Sequence, residues 1–315
     1  MSDSSELHVI FGTGPLGLAV MRALRSRGKR IRMVNRSGKA AVPTNDTVEV
    51  VSGDAANPTS TRLVCQSATV VYHCGQPPYA DWPTQAPPMM AGIIEGAAAA
   101  GAKLVYGDNL YMYGPVSVPL TEDLPYRATS PNGRTRAHLA TTLLEAHTMG
   151  KVRATIGRGS DFFGPYVRQS TVGDRVFAAA LAGKAAQVVG NPDTLHTYIF
   201  IDDFAKGLVT LGERAEALGQ VWHVPSAETV TTRQFVQMVY EEAGTPMRLS
   251  VAPQLAIAVL ALFNPTIRAV KEVLYQSEQP FVVDHSKYAA AFGSDTTPHR
   301  EAIRETLNWY RQQRT

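Results

Sequence analysis

The sequence is poor in cysteine, and the two it has, Cys65 and Cys74, have no metal-ligand spacing. They fit a reducing compartment, as small apolar residues of the interior. No His, Asp or Glu cluster has ligand spacing either, so no metal is predicted. There is no basic block and the formal net charge is only +3, which leaves nothing to argue for a nucleic-acid partner. The longest apolar stretch, Leu255 to Phe263, is too short to span a bilayer and is bracketed by Pro253 and Asn264-Pro265. No membrane association is expected. The opening residues Met1 to Glu6 lack the basic start and apolar core of a signal peptide, so a cytoplasmic location is expected. Internal repeats and low-complexity tails are also missing. What remains is 315 residues of ordinary globular composition, 44% hydrophobic and 18% charged, enough for one large α/β domain or two smaller ones.

The most informative stretch that is present is Gly12-Thr13-Gly14-Pro15-Leu16-Gly17. It follows the apolar run Leu7 to Phe11 and precedes a helical pattern from Leu18 to Leu24. A strand, a glycine turn and a helix in that order make a phosphate-binding device. Gly12 permits the tight turn, Gly14 lets the backbone approach a pyrophosphate, and Gly17 lets helix and strand pack closely. The helix that Pro15 and Leu16 open then offers the free N–H groups of its first turn and the positive end of its dipole.

The chain continues in the same rhythm. Strands are predicted at Leu7–Gly12, Arg30–Asn35, Val48–Ser52, Thr69–His73, Lys103–Gly107 and Val152–Ile156. Helices are predicted between them at Pro15–Arg27, Thr59–Gln66, Ala86–Ala100 and Arg134–Met149. This alternation predicts an α/β fold, a doubly wound parallel sheet with helices on both faces. Beyond Pro165 the rhythm loosens. Helical patterns at Thr171–Ala182, Asp202–Gly212, Thr231–Ala243 and Pro298–Gln312 are separated by short strand-like pieces at Gln187–Val189, Thr197–Ile201 and Gln220–Val224. Residues 1–165 are therefore expected to form a dinucleotide-binding domain. Residues 166–315 are expected to form mainly a smaller substrate lobe, interleaved with the first.

The end of the second strand bears on the choice of dinucleotide. An acidic residue about 20 residues past the glycines would hold a ribose 2′-hydroxyl. Here the position carries Asn35, followed by Arg36, Ser37 and Lys39. A carboxylate would repel a 2′-phosphate, whereas Arg36 can pair with it bidentately. NADP(H) is expected in preference to NAD(H). Asp54, after the third strand, is expected near the adenine edge.

Together these segments resemble the extended short-chain dehydrogenase/reductase superfamily, in its NAD-dependent epimerase/dehydratase branch. The resemblance rests also on Val70-Val71-Tyr72-His73-Cys74-Gly75, on Lys103 to Gly114 ending in Tyr113-Gly114, and on Gly157 to Pro165. It extends through Tyr198-Ile199-Phe200-Ile201-Asp202-Asp203 to a closing helix with Trp309-Tyr310. It implies an enzyme with a small-molecule substrate, and a homodimer. It also implies that Arg158 lies by the far end of the cofactor.

The family's chemistry uses a Ser or Thr, a Tyr acting as acid and base, and a Lys four residues later that lowers the Tyr pKa. None of the twelve tyrosines here has a Lys four residues on. In Ser130-Pro131-Asn132-Gly133-Arg134-Thr135-Arg136 the Tyr position holds Asn132 and the Lys position Arg136, while the Ser/Thr position holds Asn109. An amide does not give and take a proton as a phenol does. Arg136 keeps a positive charge able to hold cofactor hydroxyls but is too basic to relay protons. A relocated proton donor would lie nearby, with Asp108 and Tyr111 as candidates; Tyr113 reads as packing. Tyr79 and Trp82, in a loop after the fourth strand, are expected to wall a substrate, and His196 to touch it. His73 is expected to be a satisfied, partly buried histidine.

The leading reading is an NADP(H)-dependent oxidoreductase acting on a small or medium-sized carbonyl or alkene. Two alternatives stand beside it: a sugar-nucleotide epimerase or dehydratase with tightly held NAD, and a catalytically silent protein that senses NADP(H).

Overall fold

The computed structural model describes residues 6–40, 46–253 and 271–313. The apolar segment Leu255 to Phe263 lies outside them. The chain divides into two compact units. The first comprises Met1–Met112, Pro131–Arg158 and Ala205–Val224, and the second Tyr113–Ser130, Gly159–Phe204 and Pro225–Thr315.

The first unit is built on a seven-stranded sheet. Its strands are β1 (Leu7–Phe11), β2 (Arg30–Asn35), β3 (Val48–Ser52), β4 (Ala68–His73), β5 (Lys103–Asp108), β6 (Arg153–Arg158) and β11 (Val221–His223). They run parallel in the order β11-β6-β5-β4-β1-β2-β3. All five residues of β1 are buried, as expected of a central parallel strand covered on both faces. From β1 the chain first builds outward through β2 and β3, then returns to β4 on the other side of β1. That reversal puts a topological switch point between the carboxyl ends of β1 and β4, where ligands of such sheets bind.

Helices α1 (Pro15–Ser26), α2 (Pro58–Val64), α3 (Trp82–Ala99) and α4 (Pro131–Thr148) flank the sheet. The sequence predicts α3 only from Ala86, with Gln76–Pro83 as a loop. The helix in fact begins at Trp82, after a 3-10 turn at Tyr79–Asp81. Pro83 sits in the first turn, where no N–H is needed. Asp81 anchors the entry, its carbonyl accepting from Thr84 Oγ1 at 3.1 Å and its carboxylate from Gln85 Nε2 at 3.1 Å. Pro87 and Pro88 lie inside the helix and break local rules that close packing overrides. A Cβ on Gly92 would come within 2.2 Å of the Ala55 carbonyl oxygen, and Thr61 Oγ1 donates to the Gly92 carbonyl at 2.6 Å.

The strand-like piece Gln220–Val224, in the half expected to interleave with the first, supplies β11, the edge strand of the large sheet beside β6. Its alternation showed a strand but not its partner, which pairing across the fold decides.

The second unit contains three two-stranded pairs. They are β7 (Asp161–Phe163) with β10 (Tyr198–Phe200), β8 (Ala186–Val188) with β13 (Leu249–Val251), and β9 (Leu195–His196) with β12 (Val230–Thr231). Its core gathers Phe163, Phe177, Tyr198, Phe200, Phe235, Tyr240, Leu307 and Tyr310. The helix Thr232–Ala243 carries a full capping box, Thr231 and Gln234 satisfying each other's backbone N–H. The predicted helix Thr171–Ala182 contracts to Phe177–Leu181, preceded by turns. The closing helix runs over His299–Gln312. No helix among the described residues is long and apolar enough to cross a membrane.

Because Gly92 faces backbone rather than a flexible side chain, Gly92→Ala should lower stability by roughly 1–3 kcal/mol, through displacement of α3 from the Ala55 loop. Urea unfolding checks this; an unchanged midpoint would contradict the close approach.

Candidate active site

The glycine turn is formed as a close-packed corner. Gly12 adopts φ +112°, and a Cβ there would lie 2.7 Å from the Gly75 backbone after β4. A Cβ on Gly17 would lie 2.0 Å from the Gly12 carbonyl oxygen, so α1 could not pack where it does with any side chain at that position. Gly14 differs. It caps α1 with no side-chain hydrogen bond, and a Cβ on it would meet no protein atom within 4 Å. Pro15 opens the helix, and Leu16 turns its side chain inward against Gly107 of β5. The first turn of α1 therefore presents backbone N–H groups over open ground.

At the end of β2, Asn35 shapes the loop. Its amide nitrogen donates to Thr13 Oγ1 at 2.9 Å and to the Lys39 carbonyl at 2.7 Å. Its carbonyl oxygen accepts from the Gly38 N–H at 2.7 Å and from Ser37 Oγ at 3.1 Å. The Arg36 and Lys39 side chains are exposed. Asp54 is also exposed and closes a local turn, accepting from the Ala56 N–H at 3.0 Å.

A buried ionic cluster lies where β5 and β6 end. Asp108 and Arg158 are register partners on the two strands. One Asp108 oxygen accepts from Arg136 Nη1 at 3.1 Å, and the other lies 3.4 Å from Arg158 Nε. Arg136 Nη1 also donates to the Tyr106 hydroxyl at 2.5 Å. The Asp108 and Arg158 side chains are fully buried, and that of Arg136 is 4% exposed. Burial opposes the charged form of Arg136, but Tyr106 and Asp108 outweigh it and hold its pKa above the ordinary arginine value. Burial also pushes the Tyr106 phenol well above the usual range, although Arg136 opposes this.

Arg136 is further held from its face. Its Cζ lies 3.8 Å from the centroid of the Trp82 ring, a cation–π contact in a desolvated setting. Trp82 in turn donates to the Pro77 carbonyl at 3.1 Å. Tyr79 packs on Trp82 with centroids 4.6 Å apart, and Tyr111 completes the group at 6.0 Å from Trp82 and 6.4 Å from Tyr79. Asn132 is buried, with its amide 3.4 Å from the Tyr79 carbonyl. Asn109 is half-buried and accepts from the Tyr111 N–H at 3.2 Å.

The structure thus brings Asp108, Asn109, Tyr111, Asn132, Arg136, Arg158, Tyr79 and Trp82 into one connected neighbourhood. His196 belongs to the second unit. Its ring nitrogens face the Gln276 carbonyl at 3.0 Å and Asp161 at 3.1 Å. Tyr113 is fully buried, in contact with Tyr126. Sequence reasoning missed Tyr106. The signal for it was strand alternation, since Tyr106 and Asp108 are two residues apart on β5 and so share a face. Among the described residues no group of three or more His, Cys, Asp or Glu could hold a metal ion.

His73 is the register partner of Tyr106, with ring centroids 5.0 Å apart. Its Nδ1 is buried without a hydrogen-bond partner, so the expectation of a satisfied histidine fails at that atom. Burial, reinforced by Arg136, lowers its pKa to about 3. His8, at the start of β1, is lowered to about 4 by burial and by Lys29.

A parallel sheet with this strand order, a glycine corner at its switch point and a charged cluster one strand away defines the dinucleotide-binding class of α/β proteins. Within that class, the family model for the NAD dependent epimerase/dehydratase family matches residues 9–224, and the chain belongs to that family. A UDP-glucose 4-epimerase from Corynebacterium glutamicum is 24% identical over 91% of this chain and 97% of its own length. A dTDP-glucose 4,6-dehydratase from Streptomyces griseus is 23% identical over 39% of this chain and 38% of its own. Among solved structures, the epimerase Mth375 from Methanothermobacter thermautotrophicus superposes with a TM-score of 0.81 at 15% identity, covering 98% of this chain and 93% of that one. The dTDP-glucose 4,6-dehydratase DesIV from Streptomyces venezuelae, with NAD and TYD bound, gives 0.79 at 16% identity, covering 98% of each chain. At these identities the structures show the fold.

Both lowered histidines are neutral in the folded chain and titrate near 6.5 once unfolded. Below that pH the unfolded chain binds more protons, so stability is full above about pH 6.5 and falls as the pH drops toward 4. Each group should contribute on the order of 1 kcal/mol per pH unit within the window. Urea unfolding at about pH 7.5, 6 and 5 measures the slope. His73→Phe should flatten it, and a slope unchanged by that substitution would contradict a neutral buried His73.

Proposed function

We propose that this chain is an NADP(H)-dependent oxidoreductase with a non-standard proton donor, acting on a small or medium-sized carbonyl or alkene. The observation that carries the cofactor reading is the contrast among the three glycines. Gly12 and Gly17 are required by protein contacts, whereas nothing in the protein fills the space beside Gly14. A backbone kept bare against open ground, at a helix N-terminus and a switch point, fits a pyrophosphate. Gly14, Leu16 and Gly17 would hold it through main-chain N–H groups, while Gly12, whose N–H donates to the Val34 carbonyl at 3.0 Å, makes the turn and Pro15, which has no N–H, opens the helix. Arg36 would pair with a 2′-phosphate, helped by Ser37 and Lys39, and Asp54 would border the adenine.

A bound nicotinamide supplies or accepts the hydride. The residues of this chain orient the substrate and move the accompanying proton. Asn109, Asn132 and Arg136 line the reaction centre. Both Asp108 oxygens face arginine donors, so its part is to hold Arg136 and Arg158 in place. That leaves the Tyr111 hydroxyl as the best candidate proton donor. It lies in the aromatic group beside Trp82 and is half-buried.

A second reading is favoured by the relatives themselves. UDP-glucose 4-epimerase matches almost end to end, which supports sugar-nucleotide epimerisation or dehydration with NAD retained through the cycle. Asn132 counts against it, because an amide cannot replace the phenol as acid and base.

Titration of purified protein with NADPH and NADH, followed by nicotinamide fluorescence, tests the proposal. NADPH should bind more tightly, and Arg36→Ala should weaken it about tenfold or more while leaving NADH nearly unchanged. Failure to bind either cofactor overturns the reading. Protein that retains NAD through purification and interconverts UDP-glucose without added cofactor would establish the second. Binding of NADPH with no turnover over a broad carbonyl panel would instead indicate a cofactor-sensing protein.

A further inference from the structure

Arg136 has one occupied edge and one unoccupied edge. Nη1 spends its two N–H groups on the Tyr106 hydroxyl and on Asp108. The opposite edge of a guanidinium is a fork of two parallel donors, Nε–H and one N–H of Nη2. Nε is buried and has no hydrogen-bond partner. No bond from Nη2 to any described residue accompanies those of Nη1. A buried donor without a partner is unfavourable unless a ligand supplies one. The fork also has a fixed direction, since Trp82 covers the guanidinium face at 3.8 Å and the Nη1 bonds prevent rotation.

We propose that this edge binds a carboxylate carried by the substrate, which makes oxo acids or unsaturated acids the substrate class. The inference rests on the reading above that Arg136 lines the reaction centre. Two coplanar acceptor oxygens match two parallel N–H groups, and one negative charge matches an arginine whose own counter-ion, Asp108, is shared with Arg158. A dianionic phosphate fits less well, because its second charge would be opposed by Asp108 close by. The neutral hydroxyls of a ribose would fill the fork without using the charge. Lysine at this position could offer the charge but not the fork.

The test is calorimetric titration of the full chain with benzoate, with benzamide as its neutral counterpart, and with inorganic phosphate, each with and without saturating NADPH. Benzoate should bind about tenfold or more tightly than benzamide, with NADPH present as well as absent. In Arg136→Lys, with folding verified by its thermal midpoint, that preference should disappear although the charge is kept. Should this variant not fold, the wild-type comparison of the three probes decides alone. Equal affinities for benzoate and benzamide, no binding of benzoate, tighter binding of phosphate, or displacement of benzoate by NADPH would each overturn the proposal. The NADPH titration separates the two levels of inference. Benzoate preference without NADPH binding defeats the cofactor reading alone, and NADPH binding without benzoate preference defeats the carboxylate alone.

Discussion

The arrangement of the candidate site depends on one carboxylate. Asp108 ends β5, meets Arg158 of β6 through one oxygen and Arg136 of α4 through the other, and does so out of contact with water. Two guanidiniums with no carboxylate between them would repel each other, and both would be costly to desolvate. With Asp108 in place, a helix and two strands are tied at the carboxyl end of the sheet. Arg136 then becomes a fixed object, gripped by Asp108 and Tyr106 on one edge and by Trp82 on its face. Trp82 is itself positioned by the unusual start of α3 and by its bond to Pro77. The prolines that disrupt the sequence pattern there coincide with the residues that set the aromatic group.

The second organising constraint is steric. Gly12 meets Gly75, and Gly17 meets Gly12, because β1, β4 and α1 converge at the point where strand order reverses. This corner and the ionic cluster belong to the same unit, with β4 lying between β1 and β5. His73 and Tyr106, paired in register across β4 and β5, form the buried layer that connects them.

Much of this was legible in the sequence, for reasons that differ by residue. The glycine corner could be read because strand, turn and helix are contiguous, so local pattern is sufficient. Counting within segments of recognisable order put Asn109, Asn132 and Arg136 forward as a group, and the structure places the three in one neighbourhood. The contacts that fix this group were not legible in the same way. The contact between Arg136 and Tyr106 joins residues 30 positions apart, and that between Arg158 and Asp108 joins residues 50 apart. Only the register of β5 with β6 and the docking of α4 bring them together. The helix α3 starts one turn earlier than its pattern predicts, because Pro83 reads as a breaker in sequence yet fits a first turn, and the close approach at Gly92 that seats the helix is a tertiary fact. The strand at Val221–His223 was legible as a strand, but its place beside β6 was not, since local pattern specifies a strand without its neighbour.

The loop after β2 separates two tasks that a single residue often combines. Asn35 gives the loop its shape through four hydrogen bonds of its side chain, while the Arg36 and Lys39 side chains project outward and give it its charge. Shape and charge can therefore vary independently over evolutionary time. Exchanges at positions 36 and 39 leave the acceptors and donors of these four bonds in place, since Lys39 takes part only through its main-chain carbonyl, whereas an exchange at 35 removes all four. On the proposed cofactor reading, single replacements at 36 or 39 would change the charge offered to the dinucleotide while the loop that carries it keeps its shape.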